Sequence, residues 1–516
     1  MKRTVYVLAL GLILTSATAV FGQSSGSQGQ PAQGQDPAGQ QPTQPTQPQE
    51  PAKQEGDKGY EEHLPTPPVV AGTSNDAPLT GASQPIIGLV ASRSYIAPSV
   101  YYYGQLDSNG DNSLGTNHFA SINTLMGSLA VQKVGRASQL NFGYLAGRSF
   151  SNEGGLSSTT QEAAASELWS RGRWDGFILD KLLYSSQSAL LGGATPFDAT
   201  GLNTVSGLAE IGPVILRNSF VPEQGIFTAP GPRLSNSLVG QVNNHLSRRL
   251  FFTAVGNYSV LHFYNSAPGN LLFGVPTNGL SLIDSSAAGL QTGMGYELSR
   301  RDTFAVVYRF SDLWFTGFPV SVRDNVVEGA YQRRVGERLI LQVGAGPDIS
   351  FIHDPNLAGG GPSSNTRVSW TFDGLGTYQI TRGLSISAGY DHFLSSGSGI
   401  FLGAITDRAF VRLNRHFSRL WTLDVTGSYA HNRNLIPVVS SAIALAPANA
   451  SFDSVYGGFE LRRRVGRESE IFFGYLGRYQ TSNFILCPQG ICQSSNLVGH
   501  QFNFGFAWHI KPVPIG

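Results

Sequence analysis

Over residues 452–510 the chain alternates with a period of two, and that period limits what it can fold into more than any other feature. Phe502, Phe504, Phe506, Trp508 and Ile510 interleave with Gln501, Asn503, Gly505, Ala507 and His509. A strand with that spacing puts its aromatic residues on one face and its small or polar residues on the other. Upstream, a strand through Val455, Gly457, Phe459 and Leu461 leads into a basic turn at 462–469, and a second strand follows through Ile471, Phe473, Tyr475, Gly477 and Tyr479. In a soluble sheet the aromatic face would turn toward a core. Composition points it elsewhere.

Of the 516 residues 41% are hydrophobic and only 13% are charged, where an ordinary soluble domain carries about a quarter. Beyond its first residues no segment approaches the roughly 18 consecutive apolar residues of a membrane helix. Low charge without such a helix suits strands that show every second residue to lipid. The 62 glycines and 11% aromatics fit tight turns and interfacial girdles. A net charge of +1 leaves a nucleic-acid partner without support.

The connections between strands fall into two alternating classes. Short ones carry arginine: 134–136, 171–173, 247–249, 299–302, 333–338, 381–383, 415–419 and 462–467. Long ones are rich in Gly, Ser, Asn and Pro: 108–117, 151–160, 186–235, 265–280, 316–320, 353–365, 395–401, 432–450 and 482–495. Turns sorted in this way belong to an up-and-down antiparallel transmembrane β-barrel, with short turns on the periplasmic rim and loops on the outer one. A sandwich or propeller has no reason to sort them. About 18 strands fit between these connections, the first over 100–105 and the last over 497–510.

Residues 161–184 are the ambiguous stretch. Glu162, the run Ala163-Ala164-Ala165 and Leu168 favour helix, whereas the turn at Arg171-Gly172-Arg173 matches the other short turns in character and phase. A strand pair is expected there; a helix would reduce the barrel to about 16 strands. Residues 202–216 also alternate and would add a hairpin within the longest loop.

Residues 1–22 read as a signal peptide, with Lys2 and Arg3 before an apolar run at 5–14 and the A-x-A site Ala17-Thr18-Ala19. Residues 23–80, dominated by Gln, Pro, Gly and Ser, bury too little apolar surface to offset chain entropy and read as a disordered periplasmic tether. Its composition is compatible with cell-wall contact, which no residue in it demonstrates. Residues 81–99 are a lead-in, and 100–516 the barrel.

Alternation assigns Arg309, Glu328, Gln332, Asp373, Asp391, Arg408, Arg412, Asp424, Glu460, Arg478 and Gln480 to the lumen side, and Phe502, Phe504, Phe506 and Trp508 to lipid. Two readings of the lumen charges stay open: a constriction that sorts solutes by sign and size, or ordinary polar filling. Arg408, Arg412 and Arg478, on strands near the C-terminal end, are the first to test. Cys487 and Cys492 lie in a predicted outer loop, where an oxidising environment favours a disulfide. His500 alone is thin support for a metal site, and no metal or cofactor is expected. No Gly-x-Ser-x-Gly, His-Glu-x-x-His or phosphate-binding glycine loop occurs, so no enzyme is expected.

These features together make the sequence resemble Gram-negative outer-membrane β-barrel proteins of the porin-like size class, over residues 100–510. Such proteins usually finish on a terminal aromatic. This chain runs past Trp508 and Ile510 into Lys511-Pro512-Val513-Pro514-Ile515-Gly516, which puts an insertion signal of that kind internally. The resemblance implies outer-membrane lipid and the barrel-assembly machinery as partners and admits a homo-oligomer. The function expected is a channel for small hydrophilic solutes, narrowed by the 186–235 loop. A structural or adhesive barrel with a plugged lumen and a polysaccharide-export conduit are the alternatives.

Overall fold

A computed structural model describes residues 94–108, 119–151, 158–185, 233–264, 271–272, 275–276, 284–316, 318–354, 363–395, 401–436, 450–466, 468–483, 485–486, 493–494 and 497–515. Residues 1–22 and 23–80, expected as leader and tether, both cysteines and most of the 186–235 stretch lie outside them. Alternation becomes strand throughout. In chain order the long strands are β1 (Tyr95–Asp107), β2 (Ala120–Val134), β3 (Ser138–Ser151), β4 (Ser158–Arg171), β5 (Trp174–Ser185), β6 (Arg233–His245), β7 (Leu250–Phe263), β8 (Ser285–Glu297) and β9 (Asp302–Phe315). They continue as β10 (Ser321–Val335), β11 (Leu339–Asp354), β12 (Ser363–Thr381), β13 (Leu384–Ser395), β14 (Ala404–His416), β15 (Trp421–Asn434), β16 (Ser451–Val465), β17 (Ser469–Ser482) and β18 (Leu497–His509). Each pairs antiparallel with the next, and β18 pairs with β1 from Ser99 opposite His509 to Asp107 opposite Gln501. The sheet therefore closes as an 18-strand barrel.

The ambiguous 161–184 segment is a strand pair. Ala165 lies opposite Phe142 of β3 and Asp180 of β5, so ladder hydrogen bonds on both sides override the helix preference of the alanines. Gly172, with φ of 67°, turns the chain between β4 and β5, a left-handed conformation that glycine adopts without steric cost. The first strand starts at Tyr95, inside the stretch expected to be lead-in. Pro98 is tolerated there because pairing with β18 begins only at Ser99, and Pro98 offers its carbonyl to the Ile510 N–H at 3.0 Å. At the other end of the chain Val513 and Pro514 add a short pairing onto Ile96 and Tyr95.

One face of every strand looks outward. On β18 Phe504 is 63% exposed, while Gln501, Asn503 and Ala507 on the opposite face are at most 1% exposed. Phe502, Phe506 and Trp508 are exposed with it. Outward aromatics gather near both strand ends, with Trp174, Tyr296 and Trp508 by the short turns and Phe150, Trp314 and Tyr479 by the long loops. Such girdles mark the two interfaces of a bilayer.

Closure depends on glycines of β18. Gly505 faces inward between Tyr103 of β1 and Phe472 of β17, whose rings meet across it with centroids 6.3 Å apart. A Cβ at Gly505 would overlap both side chains. Gly505→Ala is therefore expected to lower stability by about 1–3 kcal/mol through overpacking. Gly127→Ala, which faces outward into open space, should be near neutral. Urea midpoints of the refolded variants, read by gel mobility, test the pair; equal midpoints would contradict the packing argument.

Candidate functional site: the charged inner wall

The inward face of the barrel carries amides, hydroxyls and charges that bond along and across strands, beside apolar clusters such as Leu313, Phe315, Val322 and Ile352. Gln241 donates to Asn243 at 2.8 Å, Thr253 donates to the same Asn243 oxygen at 2.8 Å, and Thr406 donates to Asn432 at 2.7 Å. Buried polar groups need such partners, and neighbouring inward positions supply many of them, though Gln241 Oε1 and Asn243 Nδ2 find none among the described residues.

The sequence-derived lumen residues divide into three groups. The first occupies adjoining strands β9 to β14. Arg309 of β9 lies 3.8 Å from Glu328 of β10. Asp373 of β12 stands directly opposite Asp391 of β13, and Arg408 of β14 binds Asp391 through Nε at 3.0 Å. The Arg408 guanidinium also lies over the rings of Phe393 and Phe410, where cation–π attraction holds it in place. Gly344 of β11 makes room in the middle, since a Cβ there would overlap the carboxylates of Glu328 and Asp373. Asp324 and Asp348 belong to the same patch, with the Ser350 hydroxyl 3.0 and 3.1 Å from their oxygens.

A second group sits on β14 to β17. Asp424 accepts from Asn414 at 2.5 Å and faces Glu460 across the ladder. Glu460 is buried against Arg462, which also lies 3.9 Å from Glu470. Arg412 is inward on β14, two inward positions below Arg408.

The third group is the pair Arg478–Asp107. Arg478 of β17 reaches across β18 to both carboxylate oxygens of Asp107 on β1, at 3.0 and 2.9 Å. Its path runs over Gly499, where a Cβ would collide with the guanidinium arm. The two side chains are 1% and 0% exposed, so this arginine holds the barrel seam. Gln332 and Gln480 also face inward; Gln332 accepts from Gln342 at 3.4 Å.

Reading the sequence alone missed Asp107, Asp324, Asp348 and Arg462. Asp324 shares the phase of Glu328 along β10, and strict alternation would have found it. Asp107 was lost by ending the first strand two residues early.

Polar groups also appear on the outer face, close to the long loops. His392 and Asp407 are 2.5 Å apart, His431 and Asp453 2.8 Å, and Arg323 and Asp312 3.3 Å. All lie within three positions of the long-loop end of their strands. They mark the edge of the apolar band. An outer face apolar between two girdles, on a sheet closed without a free edge, is the arrangement that a bilayer accommodates.

The chain is an 18-strand transmembrane β-barrel.

No family model and no curated protein matches the sequence. Among solved structures it is similar to the FrpB iron transporter from Neisseria meningitidis, with 10% identity over 84% of this chain and 83% of that one and a TM-score of 0.39. It is similar as well to OccK2 (OpdF) of Pseudomonas aeruginosa, with 9% identity over 81% and 98% of the two chains and a TM-score of 0.38. The siderophore receptor PiuA from Acinetobacter baumannii gives 9% identity, 82% of each chain and a TM-score of 0.40. The likeness is one of barrel architecture and goes no further.

Proposed function

We propose that the protein is an outer-membrane channel through which small hydrophilic solutes pass, with its short-turn rim and the 23–80 tether in the periplasm. The observation that carries this reading is the inner wall itself: carboxylates and arginines brought together on β9 to β14, in a barrel of the width that accommodates an aqueous path. A chain that needed only a lipid-embedded shell could fill its interior with apolar side chains. This one places charge there beside apolar clusters such as Leu313, Phe315 and Val322, and charge in a pore lumen sorts solutes by sign.

Planar-bilayer recording of refolded protein tests the reading. Discrete conducting steps are expected; a silent membrane at protein densities that conduct for a known porin would remove the channel. Close burial of inner-wall residues such as Asn432, Asn503 and Gln501 supports a second reading, a structural barrel with a filled lumen, and that reading expects the silent membrane. Selectivity gives a sharper prediction. Arg408→Gln removes the cation that neutralises Asp391, so the reversal potential under a salt gradient should move toward that of a more cation-selective pore while single-channel steps persist. An unmoved reversal potential would show that this patch does not face the permeating ions.

A further inference from the structure

Outward charges on this barrel keep to its rims, with two exceptions. Lys133, Arg148, Asp312, Arg323, Arg333, Asp407, Arg415, Arg433, Asp453 and Arg463 all fall within three positions of a strand end among the described residues. Glu167 of β4 lies four positions in from Arg171, and Asp180 of β5 lies five in from Ser185. Four positions in from the short-turn end, other strands present Phe142, Val306, Val425 and Phe473. Both acids are exposed on the protomer surface. Asp180 accepts a hydrogen bond from Asn236 at 2.8 Å, and Glu167 has no partner among the described residues. A carboxylate at this depth is costly against acyl chains. Ala165, directly opposite Asp180, and Ala163 beyond it keep the surface of β4 low beside the acids, and small residues let another backbone approach closely within a membrane.

We propose that the outer face of β2 to β5 is the contact between copies of this chain, in a cyclic assembly about an axis normal to the membrane. Complementary charge identifies the occupant. Lys133 of β2 and Arg148 of β3 point outward on the same face and have no ion-pair partner among the described residues. Rotation about a membrane normal preserves depth, so each acid can meet only a cation of its own half of the bilayer. Lys133 lies one position in from the short-turn end and Glu167 four; Arg148 lies three in from the long-loop end and Asp180 five. Those offsets are about 5–7 Å of height at the rise and tilt of a barrel strand, within reach of a lysine or arginine side chain. The β4–β5 acids of one copy then face the β2–β3 cations of the next, a head-to-tail contact that closes into a ring.

The test uses the full chain in a Cys487→Ser/Cys492→Ser background, reconstituted in phosphatidylethanolamine–phosphatidylglycerol vesicles. Nitroxides at Ala165→Cys and Phe504→Cys report oxygen accessibility from the acyl region. The Phe504 site should be accessible and the Ala165 site sheltered. Light scattering in detergent should give a protein mass that is a multiple of the single chain, falling to one chain with Glu167→Lys and returning when Lys133→Glu is added. A single-chain mass before any substitution, equal oxygen access at the two sites, or an oligomer indifferent to Glu167→Lys would each overturn the proposal. Any of these would leave acyl chains, or a different protein, as the occupant of that face.

Discussion

Replacing Arg478 with alanine is expected to lower the unfolding free energy by about 3–5 kcal/mol, the cost of leaving one member of a buried ion pair uncompensated. The estimate depends on where the pair sits. Arg478 and Asp107 are almost wholly withdrawn from solvent, and the guanidinium is committed to both oxygens of a single carboxylate. A shared geometry of this kind is fixed rather than fluctuating. Removing the arginine strands Asp107 on β1, at the seam where the first and last strands meet. Removing both charges together, as in Asp107→Asn with Arg478→Gln, takes away the unpaired charge along with the attraction and should recover most of the loss. Urea unfolding of refolded protein, followed by gel mobility, gives both numbers. A loss below about 1 kcal/mol for Arg478→Ala would mean that water reaches the pair, since only exposed pairs are worth so little. The seam would then rest on backbone pairing, on the packing of Tyr103 against Phe472 and on the bond between Ser99 and His509.

The seam also shows how far the sequence can be read. Alternation in Phe502, Phe504, Phe506 and Trp508 told which side faces outward, and the sorting of turns told that the sheet closes, because both are local patterns. The same logic identified Arg478 as inward. What it could not supply is the partner: Asp107 is 371 residues away, and register between first and last strands is set only when the barrel closes. For the same reason Asp373 and Asp391 were each assigned to the lumen, yet nothing local indicated that they stand directly opposite with Arg408 beside them. The alanine run of β4 was ambiguous for a different reason, and the strand pair expected from the turn at 171–173 is what forms. Its helix preference is a property of the isolated segment, and pairing on both edges reversed it. Glu167 shares the outward phase of Ala163 and Ala165 along β4, a phase left unassigned while the segment stood between strand and helix. Its meaning emerged only by comparison with the apolar residues that other strands place at that depth.

Depth makes the second prediction. Phe504 lies near the middle of β18 and is the most exposed aromatic of that strand, so Phe504→Arg puts a guanidinium where the hydrocarbon is thickest. The expected cost is about 2–4 kcal/mol, falling to about 0–1 kcal/mol for the same substitution near an interface. Val498 provides that comparison: it is outward on the same strand, one position from its long-loop end. The two variants place the same guanidinium at different depths on one strand, so, once Phe504→Ala and Val498→Ala have corrected for the different side chains removed, the difference between their urea midpoints in lipid vesicles measures how apolar the medium around β18 is. An arginine can lessen the penalty by snorkelling toward head groups, and from Phe504 the distance to either girdle is greatest. If Phe504→Arg and Val498→Arg cost the same small amount, the aromatic face is not wetted by acyl chains. The assignment of inside and outside on every strand would then have to be reversed or abandoned, because a slip of one residue exchanges the two faces everywhere in the ladder at once.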